Sequence, residues 1–402
     1  MNELIAKAEK ELSQVFSAID EIEMTHTRKV LDSFKRHRVS ARFFAPTTGY
    51  GYDDIGRDTL AEIFAEMLGT EAALVRPQIA SGTHALSLCL YGILRPGDTM
   101  LSAIGKPYDT MEEVIGLTGD SGNGSLKDFG INYIQSDLKD GKPDIDDIIG
   151  KLNSSVKLVL VQRSRGYDLR PSLTVDEINA VIDAVHAVRE DVCVMVDNCY
   201  GEFTDVCEPR ADIMAGSLIK NLGGGLAPTG GYIAGKAKYV EKVSYRLTSP
   251  GIGAEVGSYA ATYRPFYQGL FMAPHTVAQA LKISILFAKV LGDKGYIVTP
   301  KADEKRADII QAIAFGDANK LIKFIQTIQE FSPVDSEAVP EPWDMPGYQD
   351  PVIMAAGTFV GGASIELSAD APIRPPYAAY MQGGLTYTHG KIVLDEILKR
   401  GI

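Results

Sequence analysis

The sequence predicts an α/β protein, and three patterns carry that prediction. Short, near-continuous apolar runs recur through the middle of the chain, amphipathic helical stretches separate them, and glycine- and serine-rich turns join the two. Apolar runs without alternation belong to strands covered on both faces, and helical crossovers make such strands parallel. A chain of 402 residues, 45% hydrophobic, is long enough to bury about three-quarters of its extended surface.

In order, residues 1–58 read as an N-terminal arm: helical periodicity first, then the Gly/Tyr-rich stretch TTGYGYDD at 47–54. From Thr59 the pattern is helix (TLAEIFAEMLG), apolar run (AALV), a turn at Ser81-Gly82-Thr83, and helix again (HALSLCLYGIL). Buried strands are expected at TMLSAI (99–104), INYIQ (131–135), VKLVLVQ (156–162) and VCVMVD (192–197), with a helix over 175–190. Two short strands, DIMAGS and GGYIAG, flank Lys220. Residues 59–275 thus form a large α/β domain. A helix at about 275–295 leads into a smaller α+β domain, 276–402, with strands near 309–315 and 352–367 and a closing helix at 389–399. The Pro-rich, acidic stretch 332–351 reads as a loop.

Forty Lys and Arg against 52 Asp and Glu leave a net charge of −12, a field that repels phosphate backbones, so no nucleic-acid partner is expected. The basic cluster Lys35-Arg36-His37-Arg38 continues a helix. No apolar run approaches a membrane span and the first twenty residues lack a signal-peptide core, so the expected location is the cytoplasm. Cys89, Cys193, Cys199 and Cys207 form no CxxC pair and read as reduced. The six histidines show no metal-binding spacing, and no metal is expected. The glycines of GIGAEVG (251–257) have the wrong spacing for a dinucleotide fingerprint. The aromatic stretch Tyr259–Phe271 reads as core or subunit interface.

Ligands of open α/β sheets bind beyond the carboxyl ends of the strands, which selects three segments. Asp197 ends an apolar strand, where a carboxylate calls for a cationic partner. Lys220, in SLIKNLGGG, follows a short strand and precedes a glycine run; partial desolvation there favours its neutral, nucleophilic amine. Ser81-Gly82-Thr83-His84 opens a helix after an apolar run, and free N–H groups at a helix start suit a phosphate. Each has a plain alternative: a cap, a surface lysine, an N-cap.

Together these segments resemble the pyridoxal-phosphate enzymes of fold type I, the aspartate-aminotransferase fold, in the branch that metabolises cystathionine and methionine. VMVDNCYGEF is similar to that branch's strand-end Asp segment, SLIKN to its cofactor lysine, and SGTHAL to its phosphate turn; Tyr108 in PYDT falls where the family has a tyrosine over the cofactor ring. SGTHAL, SLIKNLGGG and IRPPYAAYMQGGLTYTHGK resemble most closely the bacterial methionine γ-lyase family and aluminium resistance proteins. The resemblance spans about residues 45–400.

It implies a large domain with a mostly parallel seven-stranded sheet and a smaller C-terminal domain, with pyridoxal 5'-phosphate as cofactor. Lys220 would hold the cofactor as a Schiff base and move protons on the substrate, and Asp197 would pair with the pyridine nitrogen. Ser81, Gly82, Thr83 and Ser217 would hold the phosphate, and Tyr108 would stack on the ring and assist proton transfer. The branch also uses a tyrosine–arginine pair from a neighbouring subunit. Here Tyr52 matches the tyrosine, Asp54 stands at the arginine place, and Arg57 is the substitute. Arg374, fixed between prolines, is the candidate for the substrate carboxylate. The expected activity is β- or γ-elimination from a sulfur amino acid such as cystathionine, methionine or cysteine, giving a 2-oxo acid, ammonia and a thiol. The alternatives are an aminotransferase, a Cα–Cβ cleaving aldolase, or a cofactor-binding resistance protein with little turnover. The implied assembly is a homodimer as the smallest active unit, and a homotetramer overall.

Overall fold

The computed structural model of the protein describes residues 2–345 and 350–402. The arm consists of α1 (Glu3–Glu11) and α2 (Ser13–Arg36), and α3 (Ile55–Leu68) leads into the large sheet. There follow β1 (Ala72–Arg76), α4 (Gly82–Ile93), β2 (Thr99–Ser102), α5 (Asp109–Ile115), β3 (Asn132–Gln135), a small ribbon of β4 (Leu138–Lys139) and β5 (Lys142–Pro143), and α6 (Ile145–Gly150). Next come β6 (Val156–Gln162), α7 (Val175–Val188), β7 (Cys193–Asp197), β8 (Ile213–Ser217), β9 (Gly231–Gly235) and α8 (Ala237–Leu247). After the long α9 (Arg264–Asp293), the chain continues through β10 (Ile297–Thr299), β11 (Ile310–Ala314), α10 (Ala318–Glu330), β12 (Val352–Ala355), β13 (Ser368–Pro372), β14 (Ala378–Gln382) and α11 (Tyr387–Lys399).

The large sheet has seven strands in the order β1-β9-β8-β7-β6-β2-β3. Only β9 runs against its neighbours; the remaining pairs are parallel. Two separate cores explain why its strands are apolar without alternation. Val159, Val161, Val194, Val196 and Met214 join the core on one face, whereas Leu158, Leu160, Cys193, Met195 and Ile213 join that on the other. Successive side chains leave a strand on opposite faces, so every position must be apolar when both faces are covered. A second sheet, β10-β11-β14-β13-β12, is antiparallel throughout.

Several element bounds differ from the sequence expectation. Helix α3 starts at Ile55, not Thr59, because the Asp54 carboxylate caps it, accepting from Gly56 and Arg57 N–H. The strand expected over 352–367 ends at Ala355. In the following turn the Phe359 and Val360 N–H groups donate to the Glu366 carboxylate, so they are not available to a ladder. Strands β13 and β14 then occupy SADAP and AAYMQ, where the sequence predicted no strand. The loop at 332–351 is irregular apart from a bridge between Trp343 and Val352, with 346–349 outside the described residues.

Helix α9 begins at Arg264, eleven residues before the expected start, and absorbs most of the aromatic stretch despite Pro274. It is long and apolar enough to cross a membrane by composition, yet 72% of its most apolar window is buried within the protein. Tyr267 donates to Gly56 O at 2.7 Å, and Tyr263 donates to Asp54 Oδ2 at 2.9 Å, tying its first turn to the arm.

The start of α9 also fixes the loop after β8. Gly223 and Gly224 lie so close to the helix that a Cβ on Gly269 would fall 2.3 Å from Gly223 O, and one on Gly224, at φ +55°, 2.2 Å from Gly269 O. Backbone meets backbone here, and neither can give way. Gly269→Ala is therefore expected to destabilise the protein by about 1–3 kcal/mol. In the same helix Gly292 has no neighbour nearer than 3.4 Å to its virtual Cβ, so Gly292→Ala is expected to be neutral or stabilising by up to about 1 kcal/mol. Thermal denaturation of the two variants measures the contrast; equal melting temperatures would contradict it.

Candidate active site

Strands β6, β7 and β8 end side by side, and their carboxyl ends open into a cavity of about 330 Å³ roofed by the second sheet. Asp197 is the last residue of β7, and Ser217 the last of β8, three residues before Lys220. Parallel register places both strand ends on the same edge, which is why residues 23 apart share one cavity.

The Lys220 ammonium sits 3.9 Å from the centroid of the Tyr200 ring, a cation–π contact. Tyr200 holds φ at +70°, a left-handed conformation that costs a bulky residue about 1–3 kcal/mol. Its carbonyl is held twice, accepting from Asn221 Nδ2 at 3.0 Å and from Ile309 N–H at 3.2 Å. The loop carrying Lys220 and the second sheet therefore hold this tyrosine in place together.

Burial alone would lower the Lys220 amine, but the surrounding groups, Asp197 among them, raise it well above its ordinary value. Burial pushes the Cys199 thiol and the Tyr108 phenol up, so both keep their protons at neutral pH. Burial also raises the Asp197 carboxyl, with Lys220 and the Cys199 N–H (3.1 Å) pulling the other way. The expected neutral lysine is thus corrected: desolvation is the largest single influence, but Cys199, Tyr200, Asp197 and Tyr108 together outweigh it and favour an ammonium.

Opposite Lys220, helix α4 starts at the cavity wall. Ser81 caps it, its Oγ accepting from His84 N–H at 3.0 Å. Gly82 is where the wall is tightest: a Cβ there would lie 3.3 Å from Cys199 Sγ, 3.6 Å from Ser217 Cβ and 3.9 Å from Lys220 Nζ. The Thr83 hydroxyl is 2.9 Å from the Tyr108 hydroxyl and 3.2 Å from that of Thr110. The Tyr108 N–H donates to Gln162 Oε1 at 2.9 Å, anchoring the tyrosine to the end of β6.

Ser81, Gly82, Thr83, Tyr108, Asp197, Ser217 and Lys220 therefore line one cavity. Three other expected residues, Tyr52, Arg57 and Arg374, are not in its lining. Tyr52 is 61% exposed on the arm. Arg57 is buried, and its guanidinium is already bound to Asp58, Gly51 O and Glu255 O. Asp54 is held by its capping bonds, Thr47 and Tyr263. Arg374 lies outside the lining, 47% exposed, with Nη1 2.9 Å from Asp350 Oδ2 and Nη2 3.4 Å from Tyr167 O. The prolines expected to present it inward instead put it at the rim.

Sequence reasoning missed Tyr200 and Gln162, although both adjoin strand ends it had identified. It also missed the contribution of the second sheet, notably Asp370 and Gln382. Tyr200 stands in the very segment that carries the family resemblance; Asp370 had no signal, because β13 was not expected. Behind Lys220 lies Glu202, fully buried, accepting from Tyr232 OH at 2.8 Å, while its Oε2 has no partner among the described residues.

A mostly parallel sheet with a lysine and an aspartate at its carboxyl edge, roofed by a smaller antiparallel sheet, defines the fold type I class of pyridoxal-phosphate enzymes. A pyridoxal-5'-phosphate-dependent protein of Escherichia coli shares this fold over 95% of the chain (TM-score 0.63, 16% identity). The chain belongs to the methionine γ-lyase family, whose profile matches residues 1–402. The uncharacterised protein YnbB of Bacillus subtilis is 54% identical over 389 residues, 96% of this chain and 92% of that one. A Clostridium novyi structure described as a carbon–sulfur lyase involved in aluminium resistance superimposes with a TM-score of 0.96 at 51% identity, covering 100% of this chain and 95% of the other. A Listeria monocytogenes structure, proposed to be a cystathionine β-lyase involved in aluminium resistance, gives 0.97 at 49% identity, covering 99% of both chains.

Glu202 makes the region pH-sensitive. Burial pushes its carboxyl from 4.5 up to about 8. The folded protein therefore keeps a proton that the unfolded chain releases, so this contribution to stability is complete below about pH 4.5 and is lost as the pH rises through about 8. Glu202→Gln keeps the acceptor for Tyr232 without the titration. It is expected to flatten the decline in melting temperature between about pH 5 and pH 8; parallel declines in variant and parent would rule the assignment out.

Proposed function

We propose that this protein is a pyridoxal-phosphate-dependent carbon–sulfur lyase that eliminates a thiol from a sulfur-containing amino acid, leaving a 2-oxo acid and ammonia. The observation that carries this reading is the buried Lys220–Asp197 pair at the mouths of adjacent parallel strands. The cofactor needs an amine for its aldehyde, a carboxylate for its ring nitrogen, an anion site for its phosphate and flat surfaces for its ring. Lys220, Asp197, the α4 N-terminus with Ser217, and Tyr108 with Tyr200 meet these needs within one cavity. A Cβ at Gly82 would come into contact with Cys199, Ser217 and Lys220, so the glycine leaves that part of the cavity wall to a ligand.

When bound, the cofactor's protonated ring accepts the electron pair left as the Cα–H bond breaks. The work of the chain's own residues is to keep that ring charged and to move protons. Asp197, in a low-dielectric setting, holds the proton on the ring nitrogen. Lys220, freed once substrate is engaged, would take the Cα proton and pass it to Tyr108 after that phenol has protonated the sulfur, and water then hydrolyses the released enamine to the 2-oxo acid and ammonia. The Tyr108 phenol, kept protonated by burial and positioned by Thr83 and Thr110, is the donor for the departing thiolate. Burial of the cavity keeps water from these groups until product forms.

Two further assignments belong to this reading. The smallest active unit is a homodimer, with a homotetramer as the full assembly, in which Tyr52 on the exposed arm reaches the phosphate end of a second copy's cavity. Arg57 then acts indirectly, holding Gly51 and hence the shape of the arm. The cytoplasm is the compartment we assign.

Incubating the purified, cofactor-loaded protein with cystathionine, methionine and cysteine tests the chemistry: 2-oxo acid and thiol are expected in equal amounts. Release of glycine, or dependence on an amino acceptor, overturns elimination. Lys220→Ala is expected to abolish borohydride trapping of the cofactor and to lower turnover by about a thousandfold or more, and Asp197→Asn by about a hundredfold. A borohydride-trapped label on any other lysine contradicts the assignment.

A further inference from the structure

Lys220 is the only side-chain cation lining the cavity among the described residues, whereas three carboxylates, Asp109, Asp197 and Asp370, line it too. Asp197 has the ring nitrogen as its partner in the reading above. Asp109 lies near the rim, within the field of Arg374. Asp370 has no such counterpart.

The position of Asp370 follows from strand geometry. It sits mid-way along β13, between Ala369 and Ala371, which are fully buried in the small-domain core. Alternation sends Asp370 to the opposite face. There it stands in a cross-strand row with Met354 of β12 and Tyr380 of β14, and all three line the cavity roof. The flanking alanines show that this face of the strand, and not the strand itself, calls for a carboxylate.

Its immediate partners are neutral. Gln382 Nε2 donates to Oδ2 at 3.2 Å, and the Tyr167 side chain also bonds the carboxylate. Burial pushes Asp370 up to about 6, so it remains ionised at neutral pH. Neutral donors orient a carboxylate and do not cancel its charge, and an enclosed carboxylate without a cation is costly. Lys220 lies within its field, but in the reading above that amine is joined to the cofactor aldehyde before substrate enters and afterwards carries the Cα proton, so it is not reserved for Asp370.

We propose that Asp370, oriented by Gln382 and Tyr167, recognises a positive charge on the substrate's side chain, so that the preferred substrate is an amino acid whose distal end carries an ammonium group. This deepens the reading of the cavity as a pyridoxal-phosphate site and rests on it. An ammonium completes the charge balance of the roof, whereas an apolar side chain of equal length leaves the Asp370 carboxylate enclosed without a countercharge. Binding then discriminates through a charge left uncompensated, the more selective of the two ways a pocket can choose.

Two matched pairs of probes test the proposal on the cofactor-loaded protein. S-(2-aminoethyl)-L-cysteine and S-propyl-L-cysteine have the same length and differ in the terminal charge; thiol release is the readout. L-lysine and L-2-aminoheptanoic acid differ in the same way and carry no leaving group, so the change in cofactor absorbance on titration reports binding alone. The cationic member of each pair is expected to be favoured by about tenfold or more, in kcat/KM for the first and in Kd for the second. Asp370→Asn is expected to bring both ratios below about threefold, and Asp370→Glu to retain a preference for the cation. Equal values in the parent protein overturn the proposal without recourse to a variant, as does an Asp370→Asn protein that keeps the ratio. If neither cysteine derivative releases thiol while lysine still outcompetes its neutral analogue, the lyase reading falls and the recognition site stands. If both release thiol equally well, the recognition site falls and the lyase reading stands.

Discussion

The arrangement depends on one electrostatic relation: a buried carboxylate at the end of β7 and an ammonium just past β8 line one cavity, each within the other's field. Neither charge is tolerable alone at that depth. Each eases the burial of the other, and both line the cavity, where a ligand can reach them. The parallel sheet is what makes this possible. Its strand ends converge on one edge, where loops are free to present polar groups, while the apolar lengths of the same strands are covered on both faces.

Holding Lys220 in place takes as much structure as bringing it to Asp197. Tyr200 accepts a left-handed backbone so that its ring can lie under the ammonium, and the Asn221 and Ile309 bonds to its carbonyl offset that strain. The glycine run after the lysine lets that loop touch the α9 backbone directly. One neighbour comes from the large domain, one from the small, and one from the helix between them. Displacing any of these moves the amine.

The large sheet was legible in the sequence because its physics is local. A strand buried on both faces cannot hide its composition, and VKLVLVQ matches β6 residue for residue. The lysine, the strand-end aspartate and the helix-opening turn were legible for the same reason, each being a polar group where an apolar pattern stops. The failures have a different origin. The aromatic residues and the interior Pro274 in the first third of α9 argue against a helix locally, and packing against the arm and the lysine loop overrides them. Strands β13 and β14 are rich in alanine and interrupted by prolines, so they carry no periodicity to read, and Asp370 was missed with them. Arg57 and Arg374 were chosen for charge and spacing, but a guanidinium goes where acceptors are, and both found theirs elsewhere. Asp54 belongs at its position as a helix cap, a role that the search for a phosphate-binding arginine could not suggest.

Helix α9 has a consequence for how the chain can change over time. At Gly269 it abuts the lysine loop, and at Ile283, four turns and about 21 Å further along, it meets Gly384 and Gly390 at the base of the roof. Catalytic lysine and roof are therefore gauged from a single rod. Insertion of one residue between these two contacts would turn everything downstream by about 100°, swinging the roof off the strand ends while leaving each half intact. Surface loops can lengthen or shorten freely, but this span admits substitution only, and its residue count is a fixed ruler for the depth of the cavity.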